Sequence, residues 1–185
     1  MKKDFFRKLP ILETERIILR NIHLNDYSDI FEYASIEETS KYTTWYPHKS
    51  PSDSREFIKS QIFSQSLNKP VNWAMELKKN AKMIGTCGFM SFNDNSSSVE
   101  IGYVLSPFHQ GKGYMTEAMK RIFEYTFIDL DINEIIAHCF VENHKSENVM
   151  VRLGMKSQGV KYKFRNIKGK LMDLKAYSLQ KNEWK

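Results

Sequence analysis

The chain has 185 residues, 41% of them hydrophobic and 13% aromatic, with 28 basic against 22 acidic side chains for a net charge of +6. That is one domain's worth of chain, long enough to bury a core without covalent staples, so global disorder is excluded and a single domain over residues 1–185 is expected. Two cysteines, Cys87 and Cys139, exclude a disulfide framework and a four-cysteine zinc site, and no uncharged stretch reaches the ~18 residues that a membrane-spanning helix needs.

The opening residues, Met1-Lys2-Lys3-Asp4-Phe5-Phe6-Arg7, are basic like the start of a leader but are not followed by an apolar run, so a cytoplasmic protein is expected. Arg16 to Arg20 reads as a first strand. Asn25 is placed to cap a helix carrying Tyr27, Ile30, Phe31 and Ala34. Trp45-Tyr46-Pro47-His48 breaks that pattern, and Ser50-Pro51 has the form of a cap and first turn for a second helix to about Leu67. Val71, Trp73, Met75 and Leu77 alternate with polar or small residues, as in a half-buried strand. Asn80 turns the chain into a returning strand from Met83 to Phe92, whose Gly85 and Gly88 suggest a bulge or a close backbone approach. A polar loop from Asn93 to Ser97 leads to a strand from Val99 to Leu105.

Beyond Pro107, Gln110-Gly111-Lys112-Gly113 turns into a helix to about Phe127, with Met115, Ala118, Met119, Ile122 and Thr126 on one face. Ile135 to Val141 reads as a buried strand, and Lys145 to Leu153 as a short helix stopped by Gly154. Val160, Tyr162 and Phe164 then alternate with Lys161, Lys163 and Arg165, which should face outward, before Asn166 to Gly169 turns the chain into a last strand from Leu171 to Leu179. From Lys156 to Lys185 there are nine basic residues and two acidic ones, so the charge excess belongs to this end. The order β α α β β β α β α β β describes a mixed α/β domain with hairpins at both ends and a strand–helix–strand crossover between them.

The strand–turn–helix at Val99–Phe127 carries the sharpest signal. Glycines between a strand and a helix leave backbone N–H groups exposed, and the helix N-terminus favours an anion. A Walker loop fails because Lys112 lies between the glycines with no Ser or Thr after it, and a dinucleotide fingerprint fails because Thr116 stands at its third glycine. The five histidines, His23, His48, His109, His138 and His144, show no metal-ligand spacing, so no metal is expected.

Gln110-Gly111-Lys112-Gly113-Tyr114-Met115 resembles the Q/R-x-x-G-x-G/A motif of the GCN5-related N-acetyltransferases, except that Met115 replaces the last small residue. The opening Leu12-Glu13-Thr14-Glu15-Arg16 resembles the L-x-T-x-R start of the branch that modifies ribosomal-protein N-termini. So do Glu100-Ile101-Gly102-Tyr103, the stretch Gly111 to Ala118, Asn143-His144-Lys145-Ser146 and Leu153-Gly154-Met155. The resemblance spans nearly the whole chain. It implies the acyl-CoA N-acyltransferase fold, a central, mostly antiparallel twisted sheet of about seven strands flanked by helices. It also implies acetyl-CoA as cosubstrate.

By position, the family's pyrophosphate site falls on Gln110, Gly111, Lys112, Gly113, Tyr114, Met115 and Thr116. The pantetheine arm falls along the backbone of Val104 and Leu105, with Asn143 beside it. The Tyr103 amide is placed to meet the thioester carbonyl, as a fixed donor meets developing charge. Glu100 is the candidate base, and a solvent-facing carboxylate is its bland alternative. Many family members use a tyrosine acid where this chain has Met150; the ribosomal branch points to Ser146 instead, which could equally cap the helix or bind CoA. The acceptor is expected to be a protein N-terminal amine with possible ribosome association, or a small amine such as an antibiotic or polyamine. A nucleic-acid-binding module and a non-catalytic acyl-CoA sensor are the readings of other classes. No membrane association is expected, and either a monomer or a homodimer, since a terminal edge strand can pair with a second copy.

Overall fold

A computed structural model describes residues 6–184; the basic start at residues 1–5 lies outside them. The elements are β1 (Leu12–Glu13), β2 (Ile17–Arg20), α1 (Tyr27–Ala34), α2 (Glu37–Ser40), α3 (Pro51–Ser66), β3 (Asn72–Leu77), β4 (Met83–Asn93), β5 (Ser98–Leu105), α4 (Tyr114–Glu124), β6 (Glu134–Phe140), α5 (His144–Arg152), β7 (Lys156–Ile167) and β8 (Lys170–Gln180). They form one eight-stranded sheet in the order β1-β2-β3-β4-β5-β6-β8-β7. Every neighbouring pair is antiparallel except β5 and β6, which α4 connects as a parallel crossover. The strand beyond the expected seven is β1, whose two residues are too few to show a periodicity.

Period-two alternation sends successive side chains to opposite faces. On β3, Trp73, Met75 and Leu77 join the large core under α4 and α5, while Ala74 joins a smaller one under α1 and α3. The strand is therefore buried on both faces rather than half-buried, because helices cover each side. Met119, Ile122 and Phe123 of α4 are fully buried, each contributing about 1.5–3 kcal/mol. Beyond Glu124 the same helix widens into a π turn over Tyr125–Asp129, where the buried Thr126 hydroxyl donates to the Ile122 carbonyl at 2.7 Å.

The entry to α1 differs from expectation. A 3₁₀ turn over Leu24–Asp26 precedes it, and the His23 amide donates to Asp26 Oδ2 at 2.7 Å, so Asp26 rather than Asn25 organises the start. Asp26 is also buried against Arg20, at 2.7 Å, which fixes it there. Gly85 and Gly88 mark close approaches, to the Val104 and Val71 backbones; one bulge adjoins Gly85, at Ile84, which has no opposite number on β3, and another falls at Met90, which has none on β5. Among the described residues no helix is long and apolar enough to cross a membrane.

Candidate active site

The parallel ladder between β5 and β6 ends at Ile101↔Ala137, while β5 continues beside β4 to Leu105. Past that pair the two strands diverge, and the opening is a cleft of about 600 Å³ that passes through the sheet. One end is the glycine turn and the first turn of α4. The far walls are the segment after α2, including Trp45, and the β7–β8 hairpin.

Gly111 and Gly113 hold φ of +76° and +79°, where a Cβ costs about 1–2 kcal/mol, and a Cβ on Gly111 would meet nothing within 4 Å. The N–H groups of Gly111 to Thr116 donate to no protein acceptor among the described residues; the first bond of the helix is Glu117 N–H to the Gly113 carbonyl at 3.0 Å. Unpaired donors at a helix N-terminus with no side-chain cap make an anion cradle, and the residues present fit a pyrophosphate. Gln110 supports the turn from below. Its Nε2 donates to the Leu105 carbonyl at 3.3 Å and its Oε1 accepts from Lys145 Nζ at 2.9 Å. The Lys112 side chain leaves the cleft for the Phe108 carbonyl, 3.2 Å away, so only its backbone belongs to the turn. Lys145, held at Gln110, adds positive charge at this end that the glycine motif does not advertise, and Arg152, at the far end of α5, also lines the cleft.

Alternation on β5 divides the chemistry between the two faces. Val104 packs toward α1 and α3, and Glu100 and Gly102 share its parity; Ile101 and Tyr103 pack toward α4 and α5. On the α5 face the Tyr103 hydroxyl donates to the Ser146 carbonyl at 3.0 Å and lies 2.9 Å from the Ser146 hydroxyl. Burial pushes the Tyr103 phenol up, and the Ser146 contact only partly opposes it. Ser146 stands in the first turn of α5, its N–H donating to Asn143 Oδ1 at 3.2 Å. Asn143 thus caps the helix while lining the cleft.

On the other face, Glu100 lies 3.0 Å from His138 Nδ1 and 2.9 Å from Arg165, and Ser91 Oγ donates to it at 3.4 Å. Burial raises its carboxyl, but the bonds and charges of His138 and Arg165 outweigh that and hold it below the ordinary range. The solvent-facing alternative for Glu100 is not what the fold shows. Arg165 is a correction too. Lys161 pairs with Leu174 and Arg165 with Met172, so the two share the face of β7 that Leu174 occupies, and from that face Arg165 reaches Glu100 instead of pointing outward. Tyr162 and Phe164, the apolar partners in that alternation, are themselves exposed, so in this edge strand apolar character does not mark the inward face. His138 was equally hidden. It carries no metal spacing, and its meeting with Glu100 needs the parallel register Glu100↔Ile136, which separate strands do not reveal.

Comparison with known proteins identifies the family. The family model of the acetyltransferase (GNAT) domain matches residues 16–156. The chain is 33% identical to the uncharacterized N-acetyltransferase p20 of Bacillus licheniformis over 177 residues, covering 95% of this chain and 99% of that one. It is 28% identical to the spermidine N(1)-acetyltransferase of Vibrio cholerae, covering 94% of each. The crystal structure of a GNAT-family acetyltransferase from Bacillus anthracis superposes with a TM-score of 0.83 at 25% identity, covering 94% of this chain and 100% of that one. With the glycine turn, the diverging strands and a family match over most of its length, the chain belongs to the GNAT N-acetyltransferases, enzymes that use acetyl-CoA.

Proposed function

We propose that the cleft binds acetyl-CoA with its pyrophosphate on the N–H groups of Gly111 to Thr116 and acetylates a protein N-terminal amine. The observation that carries the first half is the row of unpaired N–H groups at the end of a gap between two strands. Bound there, acetyl-CoA supplies an acetyl thioester. Gln110 and Lys145 brace the turn, Val104 and Leu105 offer backbone along the gap, and the Tyr103 amide faces the thioester carbonyl as charge develops on it. Ser146, at the positive end of α5 and against the Tyr103 hydroxyl, gives a proton to the departing sulfur.

The acceptor half rests on charge. Glu38 and Glu100 are the acidic side chains lining the cleft, and Glu100 is already matched by Arg165 and His138. A polycation such as spermidine needs several free carboxylates, which this wall does not offer. An N-terminal amine needs one charge-neutral entry beside apolar walls, and Trp45, Phe140, Ile167 and Leu174 supply those. Exposed Lys161, Lys163 and Lys170 on the neighbouring hairpin favour an acceptor held on an anionic particle such as the ribosome.

The test is thiol release from acetyl-CoA with peptides of varied N-terminal residue, spermidine and simple amines. The proposal expects kcat/KM for the preferred peptide to exceed that for spermidine by at least about tenfold, a difference of 1.4 kcal/mol. A preference for spermidine would assign the small-amine reading instead.

A further inference from the structure

We propose that His138, oriented by Glu100, is the group that takes the proton from the acceptor amine. The proposal rests on the acetyl-transfer reading of the same cleft and names the base within it.

Glu100 is poorly placed to act directly. His138 Nδ1 at 3.0 Å, Arg165 at 2.9 Å and Ser91 Oγ at 3.4 Å already surround its carboxylate. A carboxylate among such donors has little affinity for a further proton. The same contacts make His138 a base. An ionised carboxylate only accepts hydrogen bonds, so neutral His138 carries its proton on Nδ1 and keeps the Nε2 lone pair. No protein group among the described residues donates to Nε2. Stacking on Phe164, with centroids 4.7 Å apart and planes 28° apart, fixes the ring. His138 is also the first residue of β6 beyond the last parallel pair, Ile101↔Ala137, and it lines the cleft where the sheet opens.

The step balances. The neutral amine nitrogen forms the C–N bond, its N–H proton passes to His138 Nε2, and Glu100 offsets the imidazolium charge. The C–S bond breaks, the sulfur takes a proton from the Ser146 hydroxyl, and both side chains return to their starting states through solvent. Arg165 acts as a positioning residue, keeping Glu100 ionised and turned toward Nδ1.

The experiment combines ring NMR with steady-state kinetics on the full chain. Wild type, Glu100→Gln and His138→Asn are compared, the last because its amide can still donate to Glu100 and so protects the fold. The His138 ring signals, identified by their loss in His138→Asn, should place the proton on Nδ1, and Glu100→Gln should shift them toward the other tautomer. His138→Asn should lower kcat by about 100-fold or more with acetyl-CoA affinity changed less than about twofold, and Glu100→Gln should cost about tenfold. A proton found on Nε2 overturns the proposal. So does a 100-fold loss in Glu100→Gln with His138→Asn near wild type. If wild type turns over no amine, the acetyl-transfer reading fails and takes this proposal with it; turnover accompanied by either contrary result defeats the proposal alone.

Discussion

Arg16 and Glu117 lie 101 residues apart in sequence and 2.6 Å apart in space. Glu117 also accepts from the Thr14 hydroxyl at 2.6 Å and the Arg16 amide at 2.9 Å. The Arg16 guanidinium then reaches the Lys112 carbonyl at 3.1 Å and lies 4.6 Å from the centre of the Tyr114 ring. The Thr14 and Arg16 of the opening motif are therefore a brace for the glycine turn. Burial raises the Glu117 carboxyl, but its bonds to Thr14 and Arg16 outweigh that and hold it low, so it is anionic where the brace needs it. Glu117→Gln should weaken acetyl-CoA binding about tenfold, in line with a charged hydrogen bond of about 1.5–3 kcal/mol, while saturated kcat changes less than threefold. Calorimetry and a saturation curve check this; unchanged affinity would mean that the turn stands without its brace.

Gly113→Asp should abolish acetyl-CoA binding. Its φ of +79° strains any side chain, and a carboxylate at the start of α4 would repel a phosphate. Normal binding by calorimetry in a variant with a wild-type melting curve would show that the phosphates sit elsewhere.

Ser146→Ala should lower kcat by about 10- to 100-fold with little change in acetyl-CoA affinity, since proton transfer is worth at least that much. Tyr103→Phe should do less, because it removes the contact at 2.9 Å and leaves the serine in place. Equal activity of Ser146→Ala and wild type would assign the sulfur's proton to water.

The glycine turn, the α4 face and the crossover were legible because each is local: a motif of a few residues, a helical period, a strand–helix–strand order. The same holds for Ser146 and Asn143, which sit together at one helix start. Glu100 was a candidate from its strand, but the partners that surround it were not legible. Glu100, His138 and Arg165 come from three strands and meet only through the parallel register of β5 on β6 and the placement of β7 beside β8. The Tyr103 side chain was missed because the motif there acts through backbone, while its hydroxyl finds Ser146 across 43 residues of sequence.

Acid should loosen the seat of α5. Glu147 accepts from Lys175 at 2.8 Å and from the Tyr177 hydroxyl at 2.7 Å, and with His144 these hold its carboxyl down at about 2. An unfolded glutamate titrates near 4.3. A group depressed on folding stabilises the fold above its unfolded pKa and ceases to as pH falls through its folded value. Glu147→Gln should therefore melt below wild type at pH 7, with the gap closing between about pH 4 and pH 2. A gap independent of pH in thermal melts would show that the carboxylate's charge is not what ties α5 to β8.

The most direct test of the account is a crystal structure of the wild-type chain with acetyl-CoA. The account predicts pyrophosphate oxygens within hydrogen-bond distance of the N–H groups of Gly111 to Thr116. It also predicts pantetheine between β5 and β6, and the acetyl carbonyl toward the Tyr103 amide with His138 on the acceptor side. Acetyl-CoA bound outside the gap between β5 and β6, or with those N–H groups facing water, would contradict it.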